Sequence, residues 1–102
     1  MNQSGLHGSL IAKEGKGAAL TAILLQAAEL MQQVEACLLY LVSKDSSNPD
    51  QIWITELWDS KTAHDDSLKM EEVRALIAQS MPLLEGAPQK GSEFEVIGGL
   101  KR

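Results

Sequence analysis

The chain has 102 residues, a formal net charge of −5, 44% hydrophobic and 23% charged side chains. That is the composition of a globular protein rather than a disordered one, and the length holds one small core, so a single domain over residues 1–102 is expected. With an acidic balance and no run of lysine or arginine, neither nucleic acid nor an anionic membrane surface is expected as a partner.

The lone cysteine, Cys37, excludes an internal disulfide and a cysteine-rich zinc site, and in an apolar stretch it reads as a small buried hydrophobe. Residues 1–9 are polar and glycine-rich, without the basic start and apolar core of a secretory signal. The longest apolar-rich stretch, residues 18–31, is broken by Thr21, Gln26 and Glu29 and is too short to span a bilayer. A cytoplasmic protein is expected.

Residues 1–8 read as a loose lead-in, and residues 7–13 (HGSLIAK) as a first strand weakened by Gly8. The polar turn that follows has too few glycines and no Gly-Lys-Ser/Thr, so it is not a phosphate loop. Residues 17–33 are the clearest helix. Leu20, Ile23, Leu24, Ala27, Ala28, Leu30 and Met31 repeat at three-and-four spacing along one broad buried face. Residues 35–44 (EACLLYLVSK) form a second strand, with Cys37, Leu39 and Leu41 on one face and Leu38, Tyr40 and Val42 on the other. Residues 45–50 (DSSNPD) are turn formers, which makes an antiparallel hairpin of this strand and the next.

The third strand, within residues 51–58 (QIWITELW), is the centre of the chain. Ile52, Ile54, Glu56 and Trp58 share one face, and Trp53, Thr55 and Leu57 the other. Asp59-Ser60 offers capping oxygens, and residues 61–68 read as a helix carrying His64. A further helix over residues 70–80 turns Val73, Leu76 and Ile77 inward and ends before Pro82. Residues 85–91 are loop, and residues 92–97 a last strand stopped by Gly98-Gly99.

The order β-α-β-β-α-(α)-β is the ferredoxin-like plan: α+β, with a four-stranded antiparallel sheet and helices on one face. The central strands are apolar on both sides, so the open face needs a cover. A second copy of the sheet about a two-fold axis is the economical one, and a homodimer with Trp53 at its interface is expected.

Chemistry is expected where Glu56 and Trp58 end the third strand and His64 follows. His64 suits proton abstraction from a phenol; it also reads as a structural histidine bonded to Asp65 or Glu56. Glu56 reads as a buried base, or as a pin for the strand–helix junction. No metal site is expected, because His64, Asp65 and Asp66 point apart on a helix. Cys37 sits mid-strand and no Gly-x-Ser-x-Gly exists, so a nucleophilic triad is not supported.

The run Ile54-Thr55-Glu56-Leu57-Trp58-Asp59-Ser60, followed by Ala63-His64-Asp65 and Ser67-Leu68, resembles the antibiotic biosynthesis monooxygenase (ABM) domain. Val73-Arg74-Ala75-Leu76-Ile77, Pro82-Leu83 and Gly98-Gly99 resemble one branch of it. The resemblance implies a dimeric α+β barrel with an apolar cavity between sheet and helices. It also implies oxidation of a small quinol or phenolic aromatic by dioxygen, without metal or flavin. On it, Trp58 walls the pocket, His64 lies at its edge as base or orienter, Glu56 lines the same face, and Tyr40 partly matches the aromatic lining of polyketide-oxidising members. Haem degradation is disfavoured, since the first strand lacks the asparagine of the haem-degrading relatives. A non-catalytic dimeric module that binds a small apolar molecule, or only assembles with itself, stands as the alternative. The feature that separates the two is whether His64 or another titratable group lines an apolar cavity.

Overall fold

The computed structural model describes residues 3–86 and 91–99. Its elements are β1 (Gln3–Ile11), α1 (Gly17–Met31), β2 (Cys37–Lys44), β3 (Gln51–Trp58), α2 (Lys61–Ser67), α3 (Glu71–Ser80), a 3-10 turn (Met81–Leu83) and β4 (Ser92–Val96). The strands form one antiparallel sheet in the order β2-β3-β1-β4, the ferredoxin-like arrangement expected from the element order. Of the loop expected over residues 85–91, residues 87–90 lie outside the described residues. No helix among the described residues is long and apolar enough to cross a membrane.

β1 begins four residues earlier than its expected start. Gly8 reads as weakening the strand and Gly5 falls in the expected lead-in, but here both are places of close approach. A side chain at Gly5 would collide with the ring of Phe94 on β4, and one at Gly8 would meet the Gly91 backbone at 2.9 Å. The strand therefore needs glycine there to let its neighbour in.

β2 also departs from simple alternation. A bulge between Cys37 and Leu39 leaves Cys37 opposite Trp58 and Leu39 opposite Leu57. Cys37 thus falls on the Trp58 side of the sheet, not on the side of Leu39 and Leu41 where alternation places it.

α1 has no capping side chain of its own. Asp50, at the end of the β2–β3 connection, supplies one from across the chain: its carboxylate accepts from Gly15 N at 3.1 Å and Gly17 N at 2.9 Å. The core beneath α1 joins Leu20 and Leu24 to Ala12, Ile52 and Leu84, with Leu20 and Ile52 fully buried. α2 starts as expected, Ser60 Oγ accepting from Ala63 N at 3.1 Å. Pro82 falls within the 3-10 turn that ends α3. On the sheet face away from the helices, Trp53 stacks on His7 and donates to Asp45, while Leu39, Leu41 and Phe94 are each more than two-fifths exposed.

Candidate active site

The strands' helix-facing side carries successive rows of cross-strand neighbours. One end is sealed by the Ile52 row and the other by Trp58, 1% exposed. Between them the row Glu93–Leu6–Glu56–Tyr40 runs across all four strands. Above that row α1 and α3 do not close onto the sheet. They leave a cavity of about 370 Å³, roofed by Ile23, Ala27 and Met31 of α1 and Val73 and Leu76 of α3. Tyr40, Glu56, Trp58 and His64 all line it.

The polar end is built by the β3–α2 junction. Residues 56 and 58 share a strand face, so the indole of Trp58 reaches back and its Nε1 donates to Glu56 Oε1 at 2.9 Å. α2 starts at once and brings His64 over the same carboxylate, with Nε2 3.9 Å from Oε1 and the imidazole edge-on to the indole at 5.6 Å. The other ring nitrogen, Nδ1, lies 3.1 Å from Asp65 Oδ1. An ionised Asp65 can only accept, so Nδ1 carries the hydrogen and in the neutral ring Nε2 is left as the acceptor. Hydrogen bonds from Lys61 and then His64 hold the Asp65 carboxyl below the usual carboxylate range. Ser67 Oγ donates to the His64 carbonyl at 2.6 Å and steadies the turn beneath the imidazole.

Tyr40 faces the same carboxylate from β2. Burial, and after it the negative charge of Glu56, raises its phenol well above the ordinary value, so near neutral pH it is a hydrogen-bond donor and not a base. Burial and the charge of Glu56 also push the Cys37 thiol up, which leaves it in the unreactive protonated form. Among the described residues no group of three His, Cys, Asp or Glu side chains is placed to hold a metal ion.

The four singled-out residues, His64, Glu56, Trp58 and Tyr40, are thus brought to one cavity; of the two carboxylates expected as partners of His64, Asp65 is within hydrogen-bond distance and Glu56 lies beyond it at 3.9 Å. Part of the floor is not legible in the sequence, because Leu6 falls in the expected lead-in before the first strand. Neither is Glu93 at the rim. The register of β4 on β1 alone aligns Glu93 with Glu56, and no local pattern signals it. The α1 part of the roof reads as core from its three-and-four spacing, and nothing in that pattern marks the space beneath it.

A family model described as antibiotic biosynthesis monooxygenase matches residues 5–79. No curated protein matches the chain. Among solved structures it is similar to a candidate antibiotic biosynthesis monooxygenase of Chloroflexus aurantiacus J-10-fl, 38% identical over 97% of each chain with a TM-score of 0.84. It is also similar to one from Deinococcus radiodurans, 32% identical over 100% of this chain and 98% of that one with a TM-score of 0.82. A third, from Caulobacter crescentus CB15, shares the fold alone: 20% identity over 95% of this chain and 92% of that one, TM-score 0.85. The matched span covers most of the chain, including all of β2 and β3, most of β1 and His64, and on that ground the chain belongs to the antibiotic biosynthesis monooxygenase family.

Proposed function

We propose that the protein is a cofactor-independent monooxygenase that oxidises a small quinol or phenolic aromatic with dioxygen in the cavity between sheet and helices. The observation that carries this reading is the pairing of His64 with Glu56 at one end of an otherwise apolar cavity. A cavity meant only for binding or for packing has no need of a base there.

In this reaction His64 Nε2 takes the phenolic proton, and Asp65 and Glu56 stabilise the imidazolium that results. The phenolate is electron-rich enough to reduce dioxygen by one electron. The two radicals combine at a ring carbon that bears hydrogen, giving a hydroperoxide. Loss of water then leaves a carbonyl: one oxygen atom stays on the ring, and the other leaves with the ring hydrogen and the phenolic proton. On this reading Trp58 walls the site and excludes water, and the Tyr40 hydroxyl donates to a substrate oxygen; both residues line the cavity.

The same reading seats a second copy of the chain on the open sheet face, where Leu39, Leu41 and Phe94 lie exposed. Sedimentation should read the mass of two chains; a monomer at working concentration would refute that part. Oxygen uptake over a panel of reduced quinols and polyhydroxylated aromatics tests the chemistry, using metal-stripped protein alongside His64→Ala and Trp58→Ala variants that remain folded. Uptake above autoxidation that is lost in both variants supports the assignment. Equal uptake in the variants removes these residues from the site, and no uptake on any substrate moves the function to a binding module.

A further inference from the structure

The cavity's charge narrows what it accepts, an inference that rests on the reading of this cavity as the substrate site. We infer that the occupant is uncharged, that Glu56 is the residue which selects it, and that carboxylate-bearing analogues are rejected.

Selection comes from the row across the sheet. Glu56 is held in place by the Trp58 indole, which occupies Oε1 at 2.9 Å. Among the described residues nothing donates to Oε2, and no side-chain oxygen or nitrogen is both buried and unpartnered, so Oε2 keeps some exposure on a residue that lines the cavity. A fixed carboxylate oxygen in an apolar wall is an acceptor waiting for a donor. A substrate donor other than the hydroxyl that His64 deprotonates satisfies it; a carboxylate does not.

An acidic substrate has three ways to lie, and each is penalised. With its carboxylate at the polar end it meets Glu56 in a low-dielectric setting. With the carboxylate at the far end it is buried among Leu24, Ile54 and Ala27, without a partner. With the carboxylate towards solvent it approaches Glu93, which is exposed, lines the cavity and sits in the same row as Glu56. The charge of Lys61 reaches Glu93, but Lys61 is exposed, bound to Asp65 at 3.0 Å and not part of the lining.

The test compares two probes of one size and shape, 6-hydroxy-2-naphthamide and 6-hydroxy-2-naphthoate, by titration calorimetry under nitrogen so that no turnover intervenes. The full-length wild type should bind the amide about tenfold more tightly than the acid, or better. Glu56→Gln keeps an acceptor for the Trp58 indole and should bring the ratio towards one. Glu93→Gln, at the exposed rim where it cannot disturb folding, should lower it by a smaller factor. A wild-type ratio of one or less overturns the inference, as does a ratio that neither variant changes, or failure of both probes to bind. An intact ratio beside absent oxygen uptake removes the monooxygenase reading and leaves the selectivity standing.

Discussion

Tyr40 gives the sharpest test of the electrostatics of this cavity, because it is the only tyrosine in the chain and can be watched directly. Burial, then the charges of Glu56 and Cys37, raises its phenol above the ordinary value of 10.0. The folded protein therefore keeps a proton that the unfolded chain releases. The stability this represents is complete below pH 10 and is lost as pH rises from there towards the folded value. In that window the loss is about 1.4 kcal/mol per pH unit for one proton. The experiment is urea unfolding of wild type and Tyr40→Phe at about pH 9 and pH 11, with tyrosinate absorbance recorded on the folded protein. Wild type should lose about 1 kcal/mol more than Tyr40→Phe between the two conditions, and tyrosinate should appear only as the protein unfolds. Lysines titrate in the same range but are common to both proteins and cancel in the difference. Equal losses, or tyrosinate forming in the folded protein with a midpoint near the ordinary value, would refute the placement of Tyr40 in a buried site beside a carboxylate.

Two further predictions concern the scaffold. Asp50→Ala removes the acceptor for two amides at the start of α1 and should destabilise the protein by about 1–3 kcal/mol in urea unfolding, with Asp50→Asn recovering part of the loss; a change below about 0.5 kcal/mol would mean that water replaces the cap. Gly5→Ala drives a methyl group into the Phe94 ring and should cost about 1–3 kcal/mol. Phe94→Leu in the same chain should restore much of it, and additive losses in the double variant would show that the two residues do not share that space.

The parts of the fold legible in the sequence were those written in local chemistry. The DSSNPD turn, the aromatic and β-branched run of β3, the Ser60 cap and Pro82 each act on their own neighbours, and each is found where its chemistry puts it. What failed to show were features set by a distant partner. Gly5 reads as part of a loose lead-in until Phe94 is seen to need its space. Cys37 changes face because of one extra residue in β2. Asp50 looks like a turn residue until α1 is seen to lack a cap. The site divides in the same way: Glu56, Trp58 and His64 are neighbours in sequence and could be grouped by strand and helix geometry, whereas Leu6 and Glu93 join them only through sheet register.

The cavity itself is the strongest argument that this domain binds something. The ~370 Å³ cavity is walled largely by apolar side chains and opens towards solvent at Glu93, and over its apolar part water is a poor filling. Added apolar volume should then stabilise the fold while abolishing the site. Ala27 is half-buried in α1 and faces the cavity, so Ala27→Leu extends an apolar side chain into it without changing a strong helix former for a weak one. Burying the added methylenes should raise stability by about 1 kcal/mol, against the 1–3 kcal/mol loss expected of the same substitution in a filled core. Binding of the hydroxynaphthamide should fall at least tenfold. A destabilised Ala27→Leu would mean that α1 packs directly on the sheet at this point, and the argument for a substrate cavity would fall with it.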